Sequence, residues 1–327
     1  MRVLVTGGAG YIGSVVAAQL LEGGNEVTVF DDLSTGHEDA VPYGARFIRG
    51  SIEHPPLDGM DAVLHFAAKS LVGESVRQPG RYWAHNFVGT AKLLEAMRVR
   101  GVRKIVFSST AATYGEAERL PIQEDHPTRP INPYGASKLA VDHLLGAHAE
   151  LHGLGAVSLR YFNVAGAYTA RDGRVYGERH APETHLIPNI LKVAAGESES
   201  VRVFGADFPT PDGTCVRDYI HVADLARAHL LALENCSPAT HKIYNLGNGA
   251  GSSVMKVLNV AREVTGHPIP ALVGNRRPGD PAVLVASSEK IRRELAWKAE
   301  RGDLETMVSD AWAAFRSPET PQVAPSA

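Results

Sequence analysis

The sequence predicts an α/β fold, a doubly wound parallel sheet carrying a smaller mixed α/β substrate domain, and three observations support it. Up to residue 160, short β-branched apolar runs alternate with longer helical patterns, as consecutive β-α-β units do. A glycine-rich turn joins the first apolar run to the first helical pattern. After about residue 165 this rhythm gives way to Gly-, Pro- and Asp-rich stretches such as 206–213 (ADFPTPDG).

The candidate strands are Arg2–Thr6, Glu26–Phe30, Arg46–Arg49, Ala62–Phe66, Lys104–Ser108 and Ala156–Tyr161, none with an internal proline and each short enough to be buried on both faces. Between them, Tyr11–Gly23, Arg81–Arg100 and Pro133–His152 repeat apolar residues every three or four positions, and Gly23-Gly24 or Gly101 follows where a helix should stop. The expected division is a dinucleotide-binding domain over 1–165 and a substrate domain over most of 166–316. A helix Val222–Glu234 and a strand Lys242–Leu246 return to the first sheet at about 220–248. Ser317–Ala327, with three prolines and no apolar pattern, reads as a frayed tail.

Lys and Arg number 33 against 36 Asp and Glu, a formal charge of −3, so no positive field draws the chain to nucleic acid. Two cysteines, Cys215 and Cys236, are too few for a disulfide framework, and no C-x-x-C pair or other metal signature was found. With no signal-peptide pattern and no long apolar run, the expectation is a cytoplasmic protein without a membrane partner.

Gly7, Gly10 and Gly13 stand at G-x-x-G-x-x-G spacing between a strand and a helix, with Tyr11 and Ile12 inside the turn. A tight turn, a close approach to a pyrophosphate and a helix packed hard on its strand each exclude a side chain, and the pyrophosphate then caps the helix. The next strand ends in Asp31, whose carboxylate can accept both adenosine-ribose hydroxyls and would repel a 2′-phosphate, so NAD is expected rather than NADP.

Asn132-Pro133 opens the helix that carries Tyr134 and Lys138, residues at i and i+4 with Cβ atoms about 5–6 Å apart. A tyrosine acting as a base near neutrality needs its pKa lowered by roughly 3 units from about 10, and positive charge nearby is the means. Ser109 and Thr110 follow a parallel strand at its carboxyl end, where open sheets bind ligands. Thr110 can hydrogen-bond a reacting hydroxyl, whereas Ser109 is equally suited to satisfying loop amides.

Together these features resemble the extended short-chain dehydrogenase/reductase superfamily. Within it, the segments TGGAGYIGS (6–14), DDLSTG (31–36), VGESVRQP (72–79), PINPYGASK (130–138), RYFNVAGA (160–167), PTPDGTCVRDYIHV (209–222), YNLGNG (244–249) and RRPGDP (276–281) resemble the UDP-glucose 4-epimerase family. The resemblance implies Tyr134 as catalytic base, Lys138 as its tuner and Thr110 as an aid to proton transfer. It implies Phe66, Ala67, Asn86 and Phe162 around NAD, and Asn163, Arg217, Arg277 and Asp280 around a UDP-sugar, the arginines suiting a diphosphate. It further implies epimerisation at C4 of a UDP-hexose through a transient 4-keto sugar, and a homodimer formed through the helices Arg81–Arg100 and Pro133–His152.

Three positions depart from the family pattern or bear on its specificity. Ser51, not Asp, follows Gly50 near the expected adenine; Lys69 precedes rather than occupies the position of Ser70; and Leu284 falls where pocket size governs access of N-acetyl sugars. The rival readings are a 4-epimerase of another UDP-sugar (N-acetylhexosamine, uronate or pentose), a nucleotide-sugar 4,6-dehydratase and a non-catalytic NAD-binding sensor. Ala111-Ala112 after Thr110 cannot supply the acid pair of the dehydratase.

Overall fold

The computed structural model describes residues 1–277 and 280–317. The expected tail beyond Ser317 lies outside the described residues. Seven strands form one wholly parallel sheet: β1 (Arg2–Thr6), β2 (Glu26–Asp31), β3 (Arg46–Arg49), β4 (Ala62–His65), β5 (Lys104–Thr110), β6 (Gly155–Tyr161) and β7 (Thr240–Leu246). Their order across the sheet is β7-β6-β5-β4-β1-β2-β3. The chain winds outward from β1 in both directions, so a crevice opens where the carboxyl ends of β1 and β4 part company.

Alternation along each strand sends side chains to two separate cores. Val3 and Val5 face α1 (Tyr11–Glu22), with Val15, Val16 and Leu225 in the same cluster. Leu4 joins Val63, Ile105, Leu93 and Val141 on the opposite face, under α2 (Gly89–Arg100) and α3 (Pro133–His152). Each large apolar side chain removed from water in this way contributes roughly 1.5–3 kcal/mol.

The ends of α3 are set as expected. Asn132 Oδ1 accepts the Gly135 N–H at 2.8 Å, Pro133 takes the first turn and Gly153 follows the last. The expected helix Arg81–Arg100 is not continuous. A short turn of helix at Pro79–Tyr82 passes into a wider π-helical turn at Trp83–Val88 before α2 begins at Gly89. The wide turn carries Asn86, whose amide meets the backbone of Lys69.

Beyond β6 the regular elements shorten. α4 (Leu186–Ala194), α6 (Val254–Thr265) and α7 (Leu304–Arg316) bury Ile190, Leu258 and Val308 in a third core. Strands of two or three residues link this part to the sheet end; Tyr219–His221, for example, pairs with Asn163–Ala165. Between α4 and α6, α5 (Val222–Glu234) packs against α1, and β7 then aligns beside β6 from Thr240↔Gly155 to Leu246↔Tyr161, the return the sequence suggests. Among the described residues no helix is long and apolar enough to cross a membrane.

Candidate active site

A cleft of about 660 Å³ runs from the β1–β4 crevice to the loops of the second part. At one end the turn after β1 is fixed by close contact. Gly7 has φ +70°, and a Cβ there would stand 2.5 Å from the Ala67 nitrogen; one on Gly13 would stand 2.3 Å from the Gly7 oxygen. Gly10 caps α1 without a side chain, so among the described residues no cap side chain accepts from the first N–H groups of the helix where it begins at the cleft. Asp31 is buried at the end of β2, its oxygens accepting the Ala9 N–H at 3.0 Å and the Leu33 N–H at 2.9 Å. Burial raises its pKa, and those backbone bonds oppose the rise.

These residues fit a dinucleotide. Three glycines and the bare end of α1 leave a concave, donor-lined bed for a pyrophosphate, and each Asp31 oxygen keeps acceptor capacity for a ribose hydroxyl. Tyr11, Ile12, Phe66, Ala67 and Phe162 line the same cleft. Asn86 does not. It is buried behind Lys69, accepting that residue's N–H at 2.8 Å, donating to its carbonyl at 3.0 Å and donating to Ser137 Oγ at 3.1 Å. Ser51 is also absent from the lining, which takes in Gly50 and Ile52 on either side, and both Lys69 and Ser70 face the cleft.

In the middle of the cleft stand Thr110, at the end of β5, and Tyr134 and Lys138, on the first turns of α3. Burial raises the pKa of the Tyr134 phenol, and its hydrogen bond with Thr110 opposes the rise. Lys138 donates from Nζ to the Ser108 carbonyl at 2.8 Å, and burial pulls its pKa down to about 7, with Asp142 acting against that shift. Lys138 is thus positioned by the backbone of β5. Ser109 lies outside the cleft lining and donates to Asp142 Oδ2 at 3.2 Å, a buried carboxylate of α3 rather than a loop amide. Beside Tyr134, Tyr161 shares a short hydrogen bond with Ser108, and burial raises its pKa.

Asn163, Arg217, Asp280 and Leu284 line the far end. Arg217 reaches Asp280 at 2.7 Å, while its sequence neighbour Asp218 turns inward to accept the N–H groups of Asn248, Gly249 and Ala286. Arg277 is exposed outside the lining, its guanidinium 3.9 Å from the centre of the Phe204 ring. Sequence reasoning passed over Glu178, His180 and His185, which line the cleft beside Tyr11, and Glu183 next to them. The signal was two Glu and two His within eight residues.

Residues 3–247 match the NAD dependent epimerase/dehydratase family. A UDP-glucose 4-epimerase of Streptomyces lividans is 58% identical over 319 residues, covering 95% of each chain. The chain belongs to this family. A UDP-glucose 4-epimerase of Corynebacterium glutamicum is 56% identical over 318 residues, 96% of this chain and 95% of that protein. Among solved structures, the UDP-glucose 4-epimerase from Brucella ovis in complex with NAD superposes with TM-score 0.91 at 43% identity, covering 96% of this chain and 98% of that one. The enzyme from Bifidobacterium longum in complex with NAD+ and UDP gives 0.89 at 37%, covering 97% and 99%. Family membership thus agrees with the doubly wound fold, with NAD as cofactor and with an epimerase cleft that accepts a nucleotide sugar.

Proposed function

We propose that this epimerase interconverts UDP-glucose and UDP-galactose, with Tyr134 as the base that works on the sugar 4-hydroxyl. The observation that carries this reading is that Thr110, Tyr134 and Lys138 stand in one cleft, with a dinucleotide bed on one side and Arg217 and Asn163 on the other. Bound NAD would accept hydride from C4 and return it. The chain's residues do the rest. Tyr134 takes the proton of the 4-hydroxyl, Thr110 holds that hydroxyl by a hydrogen bond, and Lys138, when charged, favours the phenolate. Arg217 grips the diphosphate while the 4-keto sugar turns its other face, and Tyr134 gives the proton back. We assign Arg277 to the same diphosphate, which it reaches by leaving the Phe204 ring. Asn86 acts through Lys69 as a positioning residue. Walls from both parts of the chain shield the keto intermediate from water.

We assign residues 1–165 with 220–248 to cofactor binding and most of 166–316 to the UDP-sugar. α2 and α3 expose Val99 and Leu151, the wide turn exposes Trp83 and Val88, and we propose that a homodimer covers these residues. Two buried free thiols, Cys215 and Cys236, suit a reducing, cytoplasmic setting.

The test is incubation of purified protein with UDP-galactose. Formation of UDP-glucose is expected; NAD bound without turnover would favour the sensor, and turnover only of N-acetyl sugars, uronates or pentoses would move the substrate.

A further inference from the structure

Within the irregular segment 177–185, Glu178, His180, Glu183 and His185 converge, and their nearest ligand atoms all lie within 4.8 Å of one another. Glu178 Oε1 stands 2.6 Å from His185 Nδ1 and 2.9 Å from His180 Nδ1. Glu183 Oε1 stands 3.2 Å from His185 Nδ1, and Glu183 Oε2 stands 3.9 Å from His180 Nδ1. Four ligands bound tetrahedrally at about 2.0–2.1 Å lie about 3.3 Å from one another, so a set with one atom from each residue, all within 4.8 Å, must draw in modestly around an ion.

Charge and burial point the same way. The side chains of Glu178 and Glu183 are 9% and 2% exposed. Among the described residues their ion pairs go to these two imidazoles and to no Lys or Arg. The nearest guanidinium in sequence, Arg179, is committed to a two-pronged pair with Asp39 at 2.8 and 2.9 Å. Were both imidazoles neutral, the group would carry two buried negative charges beside a cleft that must admit an anionic diphosphate, and a dication in place of the imidazole protons would cancel them.

We propose that Glu178, His180, Glu183 and His185 hold one divalent transition-metal ion of the zinc class. Two imidazoles with two carboxylates are a nitrogen and oxygen set that favours such an ion over magnesium or calcium, and four protein ligands close the coordination sphere. The ion is therefore a clip, not a participant in the sugar chemistry. It gathers the segment that leads into α4, and the same segment is already tied to the loop after β2, where His37 Nε2 meets the Arg179 carbonyl at 2.8 Å.

The alternative is an ionic cluster in which protonated imidazoles balance the carboxylates. The test uses the full chain, stripped with a chelator and titrated with Zn²⁺ or, separately, Mg²⁺. One equivalent of Zn²⁺ bound, a Tm raised by on the order of 5 °C and no response to Mg²⁺ are expected. In the same protein Co²⁺ should give the intense visible absorption of a four-coordinate site. The double variant His180→Ala/His185→Ala, checked for folding by circular dichroism, should lose the stoichiometric equivalent. Zn²⁺ binding equal in the folded variant, or Co²⁺ giving only the weak spectrum of the hydrated ion in the unmodified chain, overturns the proposal in favour of the ionic cluster.

Discussion

The carboxamide of Asn86 closes both backbone groups of Lys69, taking its N–H at 2.8 Å and giving a hydrogen to its carbonyl at 3.0 Å. One side chain thereby fixes the backbone after β4 that lines the cleft. Asn86→Ala leaves the N–H and carbonyl of Lys69 without these partners and should cost about 1–3 kcal/mol, read by urea unfolding. It should also speed release of NAD on dilution. Unchanged stability together with unchanged release would remove the positioning role.

Tyr134→Phe should lower kcat by about 100-fold or more while bound NAD survives purification, read by the epimerase assay and by nucleotide released on denaturation. Retained turnover would remove the phenol from the chemistry.

Asp31→Ser should relax the choice of cofactor. The buried carboxylate that accepts the Ala9 and Leu33 N–H groups also lines the cleft where a ribose is to lie. Removing its charge should weaken NAD binding and narrow its advantage over NADP in a titration of the stripped protein. An undiminished preference for NAD would place the discriminating group elsewhere.

Acid should destabilise the fold through two buried imidazoles. Burial holds His65 down at about 3, with Lys138 adding to the effect, and holds His229 down at about 4. Both groups titrate near 6.5 when unfolded. Between the folded and unfolded values the unfolded chain binds more protons, so stability is full above about pH 6.5 and falls as pH drops toward 4. Among the described residues His229 Nε2 has no hydrogen-bond partner, and its ring lies 4.8 Å from that of Phe66, so His229→Phe should flatten this slope in urea unfolding at successive pH values. An unchanged slope would assign the acid sensitivity to other groups.

Much of this architecture was legible in the sequence where local signals coincide. α3 begins at Pro133 because Asn132 caps it, and α5 spans Val222–Glu234 as its apolar spacing indicated. The wide turn at Trp83–Val88 was not legible, because the apolar spacing of the segment is that of an ordinary helix and the Asn86 contacts join residues 17 apart in the chain. Pairs such as Val216–Arg217 are too short to carry a period. In the cleft, the glycine turn, Asp31, Thr110 and Tyr134 were legible because each sits at the end of a regular element, and Lys138 because it lies four residues after Tyr134. The Glu178 to His185 group lies in an irregular segment, where spacing by itself says nothing about which atoms meet.

The edge position of β7 bears on how this molecule can be taken apart. A fragment cut after residue 165 would leave β6 with a bare row of backbone donors and acceptors, an invitation to pair with another chain. The complementary piece would carry Tyr244 and Leu246, buried in the intact protein, with no sheet to receive them. Neither half is a transplantable cassette, and any engineered graft must keep both stretches on one polypeptide or supply them together.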